Sequence, residues 1–363
     1  MKRVVVDAEN LHVGGGVQVA SAFIQNLLEQ QQSDDPAFPW VRDARVVASA
    51  EVLANLPAHV ATGATVAGRS HGRAFETPDL RFVIFGPRYR RPAAKRTLAG
   101  FADVTTIYPS PLAQPVKQQL KGWLRRRVSH RYFRTADHLV VETRAVQERL
   151  VECGFDRSRI TVVPNTYHPI FDQPVKPGTP SPTRQREDGF RLLYVARAYA
   201  HKNHDFLGEV AEEYQRLTGT TVDIRVTLTD AEWRQRSSKF RRTAVNLGAV
   251  PVDCLPDLYR DADAVIFPSL LECFSATPLE AMVAGRPLIA SDRDFVRTLC
   301  GKAASYFDPR DPKAAAEAIS RVARDRLYQE QLLAHAAAIV QRWPNNADRS
   351  HSYLELMDRM LRG

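Results

Sequence analysis

The chain has 363 residues, 44% of them hydrophobic, and 50 Lys and Arg against 41 Asp and Glu give it a formal charge of +9. That length suits two domains of ordinary size, and no stretch is apolar for long enough to span a bilayer. Four scattered cysteines, Cys153, Cys254, Cys273 and Cys300, fit neither a disulfide framework nor a metal-ligand pair spacing, so free thiols and no metal are expected. The positive balance favours an anionic partner such as nucleotide phosphates, an acidic glycan or a membrane surface. Met1-Lys2-Arg3 runs directly into an apolar strand and lacks the pattern of a signal peptide, which makes a cytoplasmic enzyme the expectation.

Val4-Val5-Val6 leads through Gly14, Gly15 and Gly16 into a helical pattern over 17–30 with Val19, Ala20, Phe23, Leu27 and Leu28 on one face. A strand, a glycine-rich turn and a helix open a mononucleotide-type half, although the turn is not GxGxxG and a dinucleotide site is not expected. Glycines here let a ligand approach the backbone, and a tight turn without a ligand explains them equally well. Further strands are predicted at 45–48, 82–85, 138–141 and 160–163, with a helix over 144–153, which together make one doubly wound domain over 1–170.

Residues 116–134 carry Lys117, Lys121, Arg125, Arg126, Arg127, Arg131 and Arg134 and no acidic residue. On a helix, Val116, Leu120, Trp123, Leu124 and Val128 make an apolar arc that Arg127 and Arg131 interrupt. The arc is expected to pack on the domain with the charges solvated, and an anionic membrane surface is the competing reading. Nucleic acid is not expected, because neither an aromatic-interleaved RNA motif nor a helix-turn-helix pattern is present.

Residues 171–189, rich in Pro and polar side chains, read as a linker. A second doubly wound domain over 190–342 follows, with strands at 191–196, 222–228, 264–267, 287–290 and 304–307 and helices at 203–214, 255–259 and 312–322. A terminal helix over 343–363 is expected to return to the first domain. Two Rossmann-like α/β domains joined in this way imply an interdomain cleft, a common place for a ligand.

The residues with chemistry gather beyond the carboxyl ends of strands in the second domain, where open α/β sheets bind ligands. Arg197 and Lys202 follow its first strand and suit a pyrophosphate. After the apolar run Ala264-Val265-Ile266-Phe267 comes a loop holding Glu272. Thr277-Pro278-Leu279-Glu280 then reads as a helix start, with Thr277 as cap, Pro278 first in the helix and Glu280 closing a capping box. Such a box would exist for stability alone, whereas Glu272, in a loop beside a helix N-terminus, suits sugar hydroxyls, as Glu280 would too if it turned outward.

Asn246-Leu247-Gly248, then 255–269 ending in Phe267-Pro268-Ser269, then Glu272-Cys273-Phe274-Ser275 through Leu279-Glu280-Ala281-Met282 resemble the donor-binding half of family 4 glycosyltransferases, which have the GT-B fold. The signature is two glutamates with seven residues between them, met by Glu272 and Glu280. Arg197 with Lys202 resembles the diphosphate-binding pair, Val163-Pro164-Asn165-Thr166 the segment closing the first domain, and Gly14 to Gly16 the acceptor-side loop. The resemblance implies metal-independent, retaining transfer from a UDP- or GDP-linked sugar, a co-substrate rather than a cofactor, to a glycan or lipid-linked acceptor. Arg197 and Lys202 would neutralise the leaving diphosphate, Ser275 and Ala276 would offer amides to it, Glu280 would hold the ribose and Glu272 the donor sugar. Cys273 and Ser275 stand where the family usually has glycine. The loop Gly86-Pro87-Arg88-Tyr89 lacks the family's histidine motif, for which His12 is a weak substitute. Two other classes fit the same cleft: a sugar-nucleotide epimerase, and a non-catalytic nucleotide-sugar-binding protein.

Overall fold

The computed structural model describes residues 2–12, 14–33, 36–61, 65–66, 77–86, 93–108, 116–172 and 189–363. The chain divides into two compact units, Met1–Asn165 with Pro344–Gly363, and Thr166–Trp343. Most of the proline-rich segment and the loop from Pro87 to Tyr89 lie outside the described residues.

In the first unit, strands β1 (Val4–Ala8), β2 (Arg45–Ala48), β3 (Thr65–Val66), β4 (Leu80–Val83), β5 (Arg96–Gly100), β6 (His138–Val141) and β7 (Ile160–Val162) form one sheet in the order β3-β2-β1-β4-β5-β6-β7. All its pairings are parallel. β4 begins two residues before the expected 82, because Val4 pairs with Leu80 and the buried Asp7 accepts from Arg81 at 2.9 Å. β5, which ordinary strand patterning misses, crosses so close to its neighbour that a Cβ on Gly100 would lie 1.6 Å from the Ile84 carbonyl oxygen. Residues Gly15–Gln31 form the helix after β1, with Gly14 ahead of it at φ 76, a conformation that costs glycine little.

The carboxyl-terminal helix Asn346–Arg362 belongs to this first core. Tyr353 sits 5.3 Å from both Phe23 and Phe82, Trp40 Nε1 donates to Asp358 at 3.2 Å, and the Arg96 guanidinium donates to the Met360 carbonyl. Arg349, buried in the same helix, donates to Asn165, whose amide donates in turn to Glu142 at 2.6 Å.

The helix Val116–Phe133 corrects one expectation. Leu120, Trp123, Leu124 and Val128 face solvent instead of the domain, being 64%, 53%, 57% and 45% exposed. The helix is held by its last turns, where Ser129 and Phe133 are buried, Phe133 lies 4.7 Å from Phe101, and His130 Nε2 meets the Thr106 carbonyl at 2.9 Å. An apolar arc broken by Arg127 and Arg131 cannot be buried without burying charge, so a different row of the helix does the packing.

The second unit begins before the expected linker. The turn Pro169–Asp172 places Phe171 edge-on against Tyr259 at 5.4 Å, and Tyr259 lies within the same unit. Its strands β8 (Phe190–Tyr194), β9 (Val222–Val226), β10 (Ala244–Asn246), β11 (Ala264–Phe267), β12 (Leu288–Ser291) and β13 (Ala304–Phe307) lie in the order β10-β9-β8-β11-β12-β13. All pairings are parallel here too. Every side chain of β11 is buried, as a strand covered on both faces requires. Both sheets follow the doubly wound pattern, and in the second the order reverses between β8 and β11, the position at whose strand ends open α/β sheets carry a ligand crevice.

Candidate functional site

Two loops flank that reversal in the second unit, one leaving β8 and one leaving β11, and they are stapled together. Leu270 N donates to the His201 carbonyl at 2.7 Å, Thr277 Oγ1 to the Val195 carbonyl at 3.0 Å, and Tyr194 OH to the Lys202 carbonyl at 2.9 Å while also meeting Ser269 Oγ at 3.2 Å. Asn203 adopts φ 62, the one non-glycine positive φ among the described residues, which asparagine tolerates. From there its amide donates to the Pro268 and Pro309 carbonyls at 3.3 and 2.9 Å. Three kinds of bond thus fix the loops from both sides, the rigidity a preorganised charge site needs.

Within this frame Lys202 Nζ lies 2.5 Å from Glu272 Oε1, an ion pair whose angles are not those of a hydrogen bond, with both side chains nearly buried. Lys202 also stands over the Phe267 ring at 5.8 Å. His201 Nε2 is 3.9 Å from the other oxygen of Glu272, and burial holds its pKa below the ordinary histidine value. The structure therefore brings Lys202 and Glu272 together.

Arg197 goes elsewhere. Its Nε donates to Glu232 Oε1 at 2.7 Å, and the same oxygen accepts from the Ala198 amide at 3.1 Å. Glu232, in the short helix Asp230–Arg234 after β9, also closes a capping box with Thr229. Burial works against its charge, but the bonds from Arg197, Thr229 and Ala198 prevail and hold it down to about 2. Glu232 is the residue that sequence reasoning missed. Thr229-x-x-Glu232 is a helix-start signature, and it lies just past a predicted strand end in the crevice-facing position.

The start of the next helix differs from expectation. It spans Ala276–Val283 with Ser275 as cap, so Pro278 is third rather than first and no Thr277–Glu280 capping box forms. Thr277 is held by the Val195 carbonyl, and Glu280 accepts from the buried Tyr259 hydroxyl at 2.7 Å. The Ser275 side chain makes no cap bond, so the amides of Ala276 and Thr277 take no acceptor from the cap and, as at any helix start, have no partner within the helix. Such an end attracts anions. Burial pushes the Glu280 carboxyl up to about 7, against the pull of the Tyr259 hydrogen bond and the Lys202 charge. Cys273 and Ser275 adopt ordinary negative φ, so the loop here does not demand glycine.

Gly15 and Gly16 lie in the first unit at the N-terminus of Gly15–Gln31. A Cβ on Gly15 would meet open space, and one on Gly16 would make only ordinary contacts with Leu11 and Phe85. Nearby, the exposed His12 pairs with Glu51 at 3.0 Å. Among the described residues no group of three or more His, Cys, Asp or Glu is arranged to hold a metal ion, and no helix is long and apolar enough to cross a membrane.

Comparison with known proteins agrees with the fold. Residues 189–325 match the family model described as Glycosyl transferases group 1. The chain is 29% identical over 236 residues to the D-inositol 3-phosphate glycosyltransferase of Acidothermus cellulolyticus, covering 59% of this chain and 52% of that protein. It is 26% identical over 259 residues to the mannosylfructose-phosphate synthase of Agrobacterium fabrum, covering 65% and 57%. The chain thus spans about half the length of the curated relatives it matches. Among solved structures, Anabaena HepE in complex with UDP and glucose superposes with a TM-score of 0.70 at 14% identity, over 99% of this chain and 100% of that one. The fold is GT-B, with two Rossmann-like units.

Proposed function

We propose, on the premise that residues 189–325 are a glycosyl transferases group 1 domain, that the protein moves a sugar from a UDP- or GDP-linked donor to a glycan or lipid-linked acceptor. The observation that carries this reading is the clamp at the β8/β11 reversal, where Lys202 and Glu272 pair beside the open amides of Ala276 and Thr277 and the buried Glu280. Breaking a glycosyl–phosphate bond puts negative charge on the leaving diphosphate. Fixed cations and amides stabilise that charge most where they need not reorganise.

In this reading Lys202 turns from Glu272 to the diphosphate, Arg197 approaches it while held by Glu232, and the amides of Ser275, Ala276 and Thr277 donate to its phosphate oxygens. Glu272, released from its cation, accepts from donor-sugar hydroxyls, and Glu280 accepts from the ribose. These groups supply the positive charge themselves, so transfer is metal-independent. The proposed transfer retains the anomeric configuration through an ion pair, a route that needs no protein nucleophile. Gly15 and Gly16, with His12, belong to the acceptor side. The setting is polysaccharide, O-antigen or capsule synthesis at the inner face of the membrane. The activities of two relatives, a D-inositol 3-phosphate glycosyltransferase and a mannosylfructose-phosphate synthase, support the reaction class.

The test is release of nucleoside diphosphate from UDP- and GDP-sugars with glycan and lipid-linked acceptor preparations, in the presence and absence of EDTA. Acceptor-dependent release that EDTA leaves unchanged is expected. Isomerisation of the donor without acceptor would make the protein an epimerase, and tight donor binding with no turnover would make it a binding protein.

A further inference from the structure

The clamp in the second unit leaves the most unusual surface of the first unit unexplained. We propose that the Val116–Phe133 helix docks the protein on an anionic bilayer, with Leu120, Trp123, Leu124 and Val128 entering the headgroup boundary between lysine and arginine side chains that meet lipid phosphates. This inference goes beyond sugar transfer and does not depend on it.

Leu120, Leu124 and Val128 stand at i, i+4 and i+8, one stripe of the helix, with Trp123 beside it, and all four are exposed. The residues that hold the helix to its unit, Ser129 and Phe133, lie on a different row and in the last turns. Residues 117 and 119–125 are all exposed, so the amino-terminal half of the helix projects from the core. Single exposed apolar side chains are commonplace, but four on one helix, Trp among them, make a patch.

The frame of that patch is basic throughout. Lys117, Lys121, Arg125, Arg126, Arg127 and Arg131 share the helix with no acidic residue from 116 to 134. Among the described residues Asp103 lies 3.5 Å from Arg125, and Arg127 lies over the Trp123 ring at 4.8 Å. A second copy of the chain would bring two such rows of cations together. Nucleic acid would satisfy the cations but leave the leucines and the tryptophan in water. An anionic bilayer meets both demands, because apolar side chains enter the acyl boundary while long basic side chains reach the headgroups. Interrupted by Arg127 and Arg131, the stripe holds the helix at the surface.

The experiment is co-sedimentation of the purified full chain with phosphatidylcholine vesicles, with and without phosphatidylglycerol, at two salt concentrations. Binding is expected only with phosphatidylglycerol and is expected to fall as salt rises. Each of Lys117→Gln and Lys121→Gln should weaken partitioning about fivefold. Leu120→Ser with Trp123→Ser should abolish it, with the melting temperature kept because those side chains are already exposed. Nucleoside diphosphate release from a soluble donor should be unchanged in all these variants, which separates this inference from the transfer reading. Equal binding to neutral vesicles, no binding to either vesicle, indifference to the variants, or a dimer in solution that Leu124→Ser disperses would overturn it.

Discussion

Glu280→Gln probes the clamp with the least change of shape. Burial moves the Glu280 carboxyl from 4.5 to about 7, so ionising it inside the fold costs about 3 kcal/mol relative to ionising it in the unfolded chain. Its side chain is only 7% exposed, so solvent screens little of that. A folded-state pKa above the unfolded one means that the stability is fully present below about pH 4.5 and is lost as pH rises through about 7. Glutamine keeps an acceptor for the Tyr259 hydroxyl and never ionises. The variant should therefore match the native protein near pH 5 and exceed it in stability near pH 8, by up to about 3 kcal/mol. Thermal melts from pH 5 to 8.5 measure the difference. The same carboxylate is the group expected to accept from the ribose, so nucleoside diphosphate affinity in the native protein should rise through pH 7, with proton uptake by the buffer below it. Both effects should vanish in the variant. A variant equally destabilised at pH 5 and pH 8 would refute the reasoning, since Glu280 would then be an ionised acid that the fold needs.

The other residues give sharper, simpler outcomes. Lys202→Met should lower kcat/KM by about 100-fold or more, the scale of losing one preorganised charge at the leaving group, and it leaves Glu272 unpaired in a nearly buried place. Adding Glu272→Gln should recover melting temperature without recovering turnover. Glu232→Gln should raise KM for the donor, because it frees Arg197, whose side chain is largely exposed, and should lower the melting temperature at neutral pH, because the bonds that hold the Glu232 carboxyl down to about 2 lose their charge. Gly100→Ala should destabilise the first unit by about 3 kcal/mol or more, read by urea unfolding, since the new methyl group would overlap the Ile84 carbonyl.

The sheets are legible because buried parallel strands are written as unbroken apolar runs, as in Ala264-Val265-Ile266-Phe267 and Leu139-Val140-Val141. β5 was not, since Arg-Thr-Leu-Ala-Gly owes its place to a close approach at Gly100 that only the neighbouring strand reveals. Glu272, Lys202 and Arg197 announce themselves by position after strands. What holds each of them does not, because Glu232 comes from another loop and Tyr259 from another helix. Thr-Pro-Leu-Glu satisfies the local rule for a capping box, which predicts a local bond for Glu280. A tertiary bond from Thr277 to Val195 and the burial of the carboxylate override it. The arc on Val116–Phe133 was legible as a pattern, but periodicity states which side chains share a face and is silent on what covers that face.

The most direct measurement is the melting temperature of the native protein and of Lys202→Met with UDP and with GDP. A ligand that binds only the folded state raises its stability with occupancy, by about 2.7 kcal/mol at a hundredfold excess over Kd. One of the two nucleotides is expected to stabilise the native protein, and this gain is expected to be lost in Lys202→Met. If neither nucleotide raises the melting temperature, or if Lys202→Met is stabilised as much as the native chain, the β8/β11 crevice is not a nucleoside diphosphate site.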